Sequence, residues 1–395
     1  MTVASAAPAD TASMDDRVRV MIVDDSLVIR GVISSWIGEE PDFLVVASHR
    51  NGRNAADDVA NSRPDVVILD IEMPEMDGLT ALPLILERKP GTVVIVASTL
   101  TRRGAEISLK ALTLGAADYV PKPGTGSGFI TAADFRVDLI EKVRVLGERA
   151  RRRRRAETVG AARPPLARRA AGEASPRPVA ARPPRQVGSP SPARLRPFSS
   201  VPPRVLLIGS STGGPQALAR IFAAFGPLMA RVPVLVTQHM PPTFTAILAE
   251  HIGRTSGRPA AEGRDGELIE PGHIYVAPGG CHMLVERSSL GPVVRLSNAP
   301  PVNFCRPAVD PLFEAAAGIY GAATLAAILT GMGSDGARGA TVVADAGGSV
   351  IAQDEASSVV WGMPGAAVAA GACAEVLPID DLGRKIGRLL GGGAT

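Results

Sequence analysis

RVLLIGSSTGGP, residues 204–215, is an apolar run that stops abruptly in a Gly/Ser-rich turn. A short aliphatic run ending in glycines has the form of a strand buried on both faces that turns sharply into a helix, the repeating unit of parallel α/β sheets. Similar runs follow at VPVLVTQ (232–238), HIYVAP (273–278), PVVRLS (292–297), LAAILTG (325–331) and GSVIAQD (348–354). Residues 204–392 therefore read as one α/β domain on a parallel sheet. Upstream, VRVMIV, FLVVAS, DVVILD, TVVIVAS and AADYVP mark five strand–helix repeats within residues 18–147, the pattern of a doubly wound five-stranded parallel sheet.

The two modules fit the 395-residue length, which exceeds one ordinary core. Residues 1–17 lack the basic start and leucine-rich core of a secretory signal and read as a disordered extension. Residues 148–203, rich in Arg, Pro and Ala, read as a linker with too little apolar surface to offset chain entropy. Between Arg151 and Pro203 lie thirteen Arg and two Glu, a balance of +11 in a chain of net charge +3, so the remainder sums to −8. The stretch Ala315 to Ser334 carries no charge, but its Ala/Gly content and its TGMGSDG end suit a buried helix, a turn and a buried strand better than a membrane span. The three cysteines, Cys281, Cys305 and Cys373, form no CxxC pair, which excludes a four-ligand zinc centre and points to a reducing, cytoplasmic setting.

In an open parallel sheet the strand C-termini share one crevice. In the first module that edge collects Asp24 and Asp25 after the first strand, Asp70 after the third, Ser98 after the fourth and Lys122 in the fifth. Three converging carboxylates need a hard dication, and Mg²⁺ fits because it takes one or two carboxylates and bridges to phosphoryl oxygens. Ser98 and Lys122 are then placed to contact a phosphoryl group on Asp70. Any one such Asp also suits a helix N-cap; the five positions together favour the phosphoryl reading.

In the second module, Gly209 to Gly213 fits G-x-S-x-G, which sets Ser211 on a strand-to-helix turn as a candidate nucleophile, although the same turn also suits a helix cap or a phosphate cradle. Of the five histidines, His239 alone directly follows a long buried strand, which makes it the candidate base. Asp335, in the loop after LAAILTG, is the candidate carboxylate that orients His239, or else it closes an Asx-turn before Gly336. The backbone N–H groups of Thr212 and Met332 are the candidate oxyanion donors.

With DIEMPEMDG around Asp70 and Lys-Pro at 122–123, the first module resembles the response-regulator receiver family. That resemblance implies phosphorylation of Asp70 by a histidine kinase, Mg²⁺ held by Asp24, Asp25, Asp70 and the carbonyl of Glu72, a cis bond before Pro123, and a switching role for Tyr119. IGSSTGGP, TQHMPPTFT, YVAPGGCHM and LTGMGSDGA are similar to the catalytic domain of the chemotaxis response-regulator protein-glutamate methylesterases. The order receiver, linker, hydrolase extends this likeness over nearly the whole chain. It implies a serine hydrolase without its own cofactor that removes methyl esters from glutamates of chemoreceptor cytoplasmic domains, deamidates particular receptor glutamines, and is blocked by its receiver until Asp70 is phosphorylated. Phe304, Cys305, Arg306 and Pro307 depart from the family's usual Arg-His-Arg-Pro, a difference expected to touch substrate contacts or packing more than Ser211, His239 and Asp335, and the linker is unusually basic. Two other classes compete: a response regulator that binds nucleic acid through the Arg-rich segment, and a receptor-binding scaffold without catalysis. The Arg-rich segment lacks aromatic interleaving, and the chain shows no helix-turn-helix pattern, so nucleic acid is not the expected partner.

Overall fold

The computed structural model describes residues 16–123, 131–161 and 195–391. The first module alternates β1 (Val18–Val23), α1 (Leu27–Glu39), β2 (Phe43–His49), α2 (Gly52–Ser62), β3 (Val66–Asp70), α3 (Gly78–Arg88), β4 (Val93–Thr99), α4 (Arg102–Thr113), β5 (Asp118–Lys122) and α5 (Ala132–Ala161). Its strands pair in parallel in the order β2-β1-β3-β4-β5, so the order reverses between β1 and β3. The aliphatic runs explain the layering, since Val66 to Leu69 are buried on both faces. Side-chain caps start the helices, with Asp77 accepting from the Thr80 N–H at 2.7 Å and Thr101 from the Gly104 N–H at 2.9 Å.

The second module comprises β6 (Val205–Ser210), α6 (Gly214–Phe225), β7 (Val234–Gln238), α7 (Phe244–Ser256), β8 (Ala260–Glu262), β9 (Ile274–Val276), β10 (His282–Arg287), β11 (Pro292–Ser297), α8 (Val309–Tyr320), β12 (Thr324–Ile328), α9 (Ala337–Asp345), β13 (Ser349–Gln353), α10 (Gly362–Ala369), β14 (Glu375–Leu377) and α11 (Ile379–Leu390). Seven strands form a parallel sheet in the order β14-β13-β12-β6-β7-β9-β8. The expected strand PVVRLS lies outside it, in an antiparallel hairpin with β10. The uncharged stretch from Ala315 becomes the end of α8, a short 3₁₀ turn and β12, and among the described residues no helix is long and apolar enough to cross a membrane.

The structure moves the expected linker boundaries. Helix α5 runs on to Ala161, because its arginines are neutralised by carboxylates at helical spacing and across the module. Arg151 and Arg152 reach Glu148 at 2.7 and 3.0 Å, and Arg154 reaches the buried Asp65 at 2.9 Å. At the other end, the Arg196 N–H donates to the Cys373 carbonyl at 2.9 Å and Ser199 Oγ to the Ala322 carbonyl at 2.8 Å, which ties the chain to the second module before residue 204. The extension up to residue 15, the linker interior and residues 392–395 lie outside the described residues. The bond before Pro123 is trans, against expectation; among the described residues the cis peptide is Arg306–Pro307.

The two modules dock directly. Helix α4 packs on α6 and α7, Gln216 Nε2 donates to the Ala116 carbonyl at 2.7 Å, and Arg102 pairs with Glu250 at 2.8 Å. The Tyr119 ring stacks on Phe244 with centroids 4.7 Å apart and planes 8° from parallel. From α5, Arg149 donates to the carbonyls of Ser358 and Val359, and Val360 joins the apolar cluster of the first module's core. The catalytic-side layer rests on α8, where Phe313 is fully buried against β12 neighbours such as Ala326 and Ile328. Phe313→Ala should therefore cost about 3–5 kcal/mol, read as a lowered urea midpoint for the second module's unfolding transition.

Candidate active site

The sheet order explains how three sequence-distant residues come to one sheet edge. β12, β6 and β7 are adjacent, and Asp335, Ser211 and His239 follow these strands at their C-terminal edge. At the β6 turn, the Ser211 N–H donates to the Thr330 carbonyl at 3.0 Å, and its own carbonyl accepts from the Gly214 N–H at 2.7 Å and from Gln238 Nε2 at 2.9 Å. Gly213, at φ +74°, makes the left-handed step into α6, and a side chain there would strike Val359. Gly331 is needed for proximity instead, since a Cβ would lie 2.9 Å from Ser211 Cβ.

His239 Nε2 is hydrogen-bonded to Asp335 Oδ2 at 2.8 Å. Its backbone N–H donates to the Ser210 carbonyl at 3.1 Å, tying the histidine loop to the nucleophile turn. Asp335 also accepts from the Val309 N–H at 2.6 Å, the Asp310 N–H at 3.2 Å and Asn303 Nδ2 at 3.0 Å. Burial alone raises this carboxyl, but His239, the Val309 N–H and Asn303 outweigh it and hold it down at about 2. Burial likewise disfavours charge on His239, yet Cys305 and Asp335 together push its pKa up to about 10. Ser211 Oγ has no hydrogen-bond partner among the described residues, and His239 Nδ1 faces Cys305 Sγ at 3.4 Å. The Thr212 and Met332 N–H groups likewise find no acceptor among the described residues, which leaves both open to a ligand.

Sequence reasoning missed Asn303 and Asp310, and it assigned the departure at Cys305 to substrate contacts or packing, whereas its sulfur lies 3.4 Å from His239 Nδ1. Asn303 and Cys305 lie in a turn where Val302 and Cys305 exchange backbone hydrogen bonds and both Asn303 and Phe304 have positive φ. The local signals were an asparagine tolerant of left-handed backbone and the departure at Phe304 and Cys305, and neither says which loop the turn will face. The other histidines sit elsewhere: His49 pairs with Asp58 at 2.9 Å, His251 lies on α7, His273 is at the start of β9, and His282 is buried against Pro300 and Ala308.

In the first module, Asp24, Asp25 and Asp70 bring ligand oxygens within 4.8 Å of one another. Lys122 Nζ lies 2.7 Å from both Asp24 Oδ2 and Asp70 Oδ1. Burial, reinforced by Asp24 and opposed by Lys122, raises Asp70 to about 6. Glu72 and Ser98 border the same small crevice as Asp70. The Ser98 hydroxyl, however, donates to the Gly104 carbonyl at 3.0 Å, on the first turn of α4. Tyr119 is not at the crevice; it is buried against Phe244 of the other module.

Because folding depresses the pKa of Asp335, its carboxylate adds stability that is complete above the unfolded value near 3.9 and is lost as pH falls through about 2. The difference in unfolding free energy between the native protein and Asp335→Asn should thus shrink as pH drops from about 4 toward 2, followed by urea titrations at several pH values.

Residues 206–386 match the family model of the CheB methylesterase, and residues 20–134 that of the response regulator receiver domain. A protein-glutamate methylesterase/protein-glutamine glutaminase of a group 2 operon in Rhodopseudomonas palustris is 56% identical over 393 residues, covering 99% of each chain. A protein-glutamate methylesterase/protein-glutamine glutaminase of Nitrobacter hamburgensis is also 56% identical, over 390 residues and 98% of its length. The solved CheB methylesterase catalytic domain of Thermotoga maritima is 40% identical, with a TM-score of 0.46 over 48% of this chain and 98% of that one. The chain belongs to the protein-glutamate methylesterase/protein-glutamine glutaminase family, with a receiver domain ahead of its methylesterase domain.

Proposed function

We propose that the protein hydrolyses glutamate methyl esters, and deamidates particular glutamines, on the cytoplasmic helices of chemoreceptors, under control of phosphorylation at Asp70. The observation that carries the esterase reading is the buried His239–Asp335 hydrogen bond at the sheet edge where Ser211 turns out of β6. Asp335 occupies Nε2, so Nδ1 is the nitrogen that takes the Ser211 proton as Oγ attacks the ester carbonyl. The Thr212 and Met332 N–H groups stabilise the oxyanion. Collapse of the tetrahedral intermediate returns the proton from His239 to the departing methoxide, releasing methanol; water then attacks the acyl-serine by the same base and restores Ser211. A glutamine side chain follows the same course with ammonia as the leaving group.

Asp24, Asp25 and Asp70 would supply hard oxygen ligands of the kind Mg²⁺ prefers, with the carbonyl of Glu72, which borders the same crevice, as a further ligand, and the ion would neutralise phosphoryl oxygens during transfer from a histidine kinase. The docked receiver supports a regulatory reading. Arg149 grips the carbonyls of Ser358 and Val359, and Val359 abuts Gly213 directly behind Ser211. The receiver thus holds the loop that backs the nucleophile turn. A cytoplasmic location follows from such substrates and from the free cysteines.

Methanol release from methylated chemoreceptor membranes tests this reading. Release should rise on adding a small-molecule phosphodonor with Mg²⁺, Asp70→Ala should abolish that rise, and Ser211→Ala should lower turnover by ~10⁴ to 10⁶ while receptor binding persists. Retained turnover in Ser211→Ala would remove this residue from its role. Because a base must be neutral to accept a proton and His239 is shifted upward, the acid limb of kcat/KM should lie above the ordinary histidine value of about 6.5, read from the pH–rate profile.

A further inference from the structure

Each catalytic histidine of this kind needs two nitrogens, one for the orienting carboxylate and one for the nucleophile. In this structure the second nitrogen is taken. Asp335 holds Nε2 at 2.8 Å, and the sulfur of Cys305 stands 3.4 Å from Nδ1. Building on the esterase reading, we infer that Cys305 is a positioning residue for His239, its thiol engaging the nitrogen that Asp335 leaves free, so that Ser211 must displace the thiol before handing over its proton.

The placement is built rather than incidental. Cys305 closes a two-residue turn in which its N–H donates to the Val302 carbonyl at 2.9 Å and its carbonyl accepts from the Val302 N–H at 3.1 Å. Within that turn, Asn303 Nδ2 reaches Asp335 Oδ1 at 3.0 Å and Asp310 Oδ2 at 3.2 Å. One turn therefore touches both members of the His–Asp pair. The adjoining Arg306 carbonyl accepts from the Gly280 N–H at 3.1 Å, which anchors the far side. The other cysteines do not share this position: Cys373 is buried in the core, and Cys281 Sγ faces Asn298 Oδ1 at 3.2 Å.

The chemistry follows from one shared proton. As a thiol, Cys305 donates to the Nδ1 lone pair; as a thiolate, it accepts from an imidazolium Nδ1–H. In either form Nδ1 offers Ser211 no lone pair. Ser211 Oγ, correspondingly, has no partner among the described residues. The ionisable groups facing the ring are Cys305 from the turn and Asp335 from the β12–α9 loop, with Asp310 of α8 behind Asp335. A negative sulfur favours the charged ring, so removing it should make the ring easier to deprotonate.

The test uses the full-length protein and two readouts, the first of which needs no ester substrate. With ¹³C-labelled histidine, the His239 titration is followed by NMR in the native protein, Cys305→Ala and Cys305→Ser. Cys305→Ala should shift the His239 titration by about one pH unit or more, downward where the sulfur is a thiolate accepting from the imidazolium and upward where the thiol donates to the neutral ring, and the Cys305→Ser hydroxyl should not restore the thiolate's effect. The second readout is iodoacetamide, whose carbon bonds to Sγ as iodide leaves and the thiol proton goes to solvent. Alkylated native protein should lose methanol release by about 10²-fold, because the added group stands between Ser211 and Nδ1. Cys305→Ala and Cys305→Ser should be insensitive to the reagent, whereas Cys281→Ser and Cys373→Ser should be as sensitive as the native protein. An unchanged His239 titration in both Cys305 variants, or full turnover after complete alkylation of Cys305, overturns the inference. So does loss of turnover in Cys305→Ala with turnover retained in Ser211→Ala, which would make the sulfur the nucleophile. A shifted titration together with no methanol release from any form upholds the Cys305–His239 pairing and sinks the esterase reading instead.

Discussion

Four donors converge on the carboxylate of Asp335: His239 Nε2, Asn303 Nδ2 and the N–H groups of Val309 and Asp310. They come from the β7 loop, the 302–305 turn and the start of α8, so one side chain knits together segments spread over nearly a hundred residues. A buried charge is tolerable only when its lone pairs are satisfied, and here that demand fixes the geometry of the site. The two backbone donors also sit at the N-terminus of α8, where unpaired N–H groups favour negative charge. Asparagine in its place would keep one accepting oxygen and turn the other into an NH2 donor, leaving two of the four donors facing a donor. The orientation of the His239 ring, and with it which nitrogen faces Ser211, follows from this carboxylate.

The same economy of edges explains why two modules can be coupled at all. Each parallel sheet brings its reactive groups to one C-terminal edge, and in each the strand order reverses next to them. In the receiver this gathers three carboxylates and Lys122; in the second module it gathers Ser211, His239 and Asp335. The docked arrangement does not bring the two edges together. It joins α4, β5 and α5 of the receiver to α6, α7 and the 356–361 loop, elements that frame the second edge. Among the described residues the two modules meet through helix and loop positions.

What could be read from the chain alone was what depends on period and strand ends. Continuous aliphatic runs fixed the buried strands, and the residue after each run had to lie at the crevice, which was enough to select Asp70, Ser211 and His239. Short strands without such a run were missed, among them Ala260–Glu262 and Glu375–Leu377. The β10–β11 hairpin was missed for a related reason, since PVVRLS carries the apolar pattern of a sheet strand and nothing local tells a parallel partner from an antiparallel one. Asn303 was illegible, and Cys305, noticed as a departure, was assigned to substrate contacts or packing, because the role of each depends on where a turn lands in space. The arginines of α5 misled the reading: their charge suggested an extended spacer, whereas Glu148 and Asp65 make a helix of them.

Ser98 lies between the Asp70 crevice, where phosphorylation is proposed, and the first turn of α4 on the docking surface. Its hydroxyl now donates to the Gly104 carbonyl, and Gly104 packs so closely that a Cβ there would lie 2.2 Å from the Thr99 carbonyl. A phosphoryl group on Asp70 offers a stronger, charged acceptor to that hydroxyl. Turning toward it would leave the Gly104 carbonyl without Ser98, although Ser108 Oγ continues to donate to it at 2.8 Å. The first turn of α4 is therefore where the Ser98 hydrogen bond would compete with a phosphoryl group under the phosphorylation proposed at Asp70. That turn carries Arg102, which pairs with Glu250 of α7, and the other end of the docking face is the Tyr119–Phe244 stack. Both contacts lead into α7, whose first residue, Phe244, stands five positions after His239. The contacts of α4 and β5 thus end on the helix that follows the His239 loop.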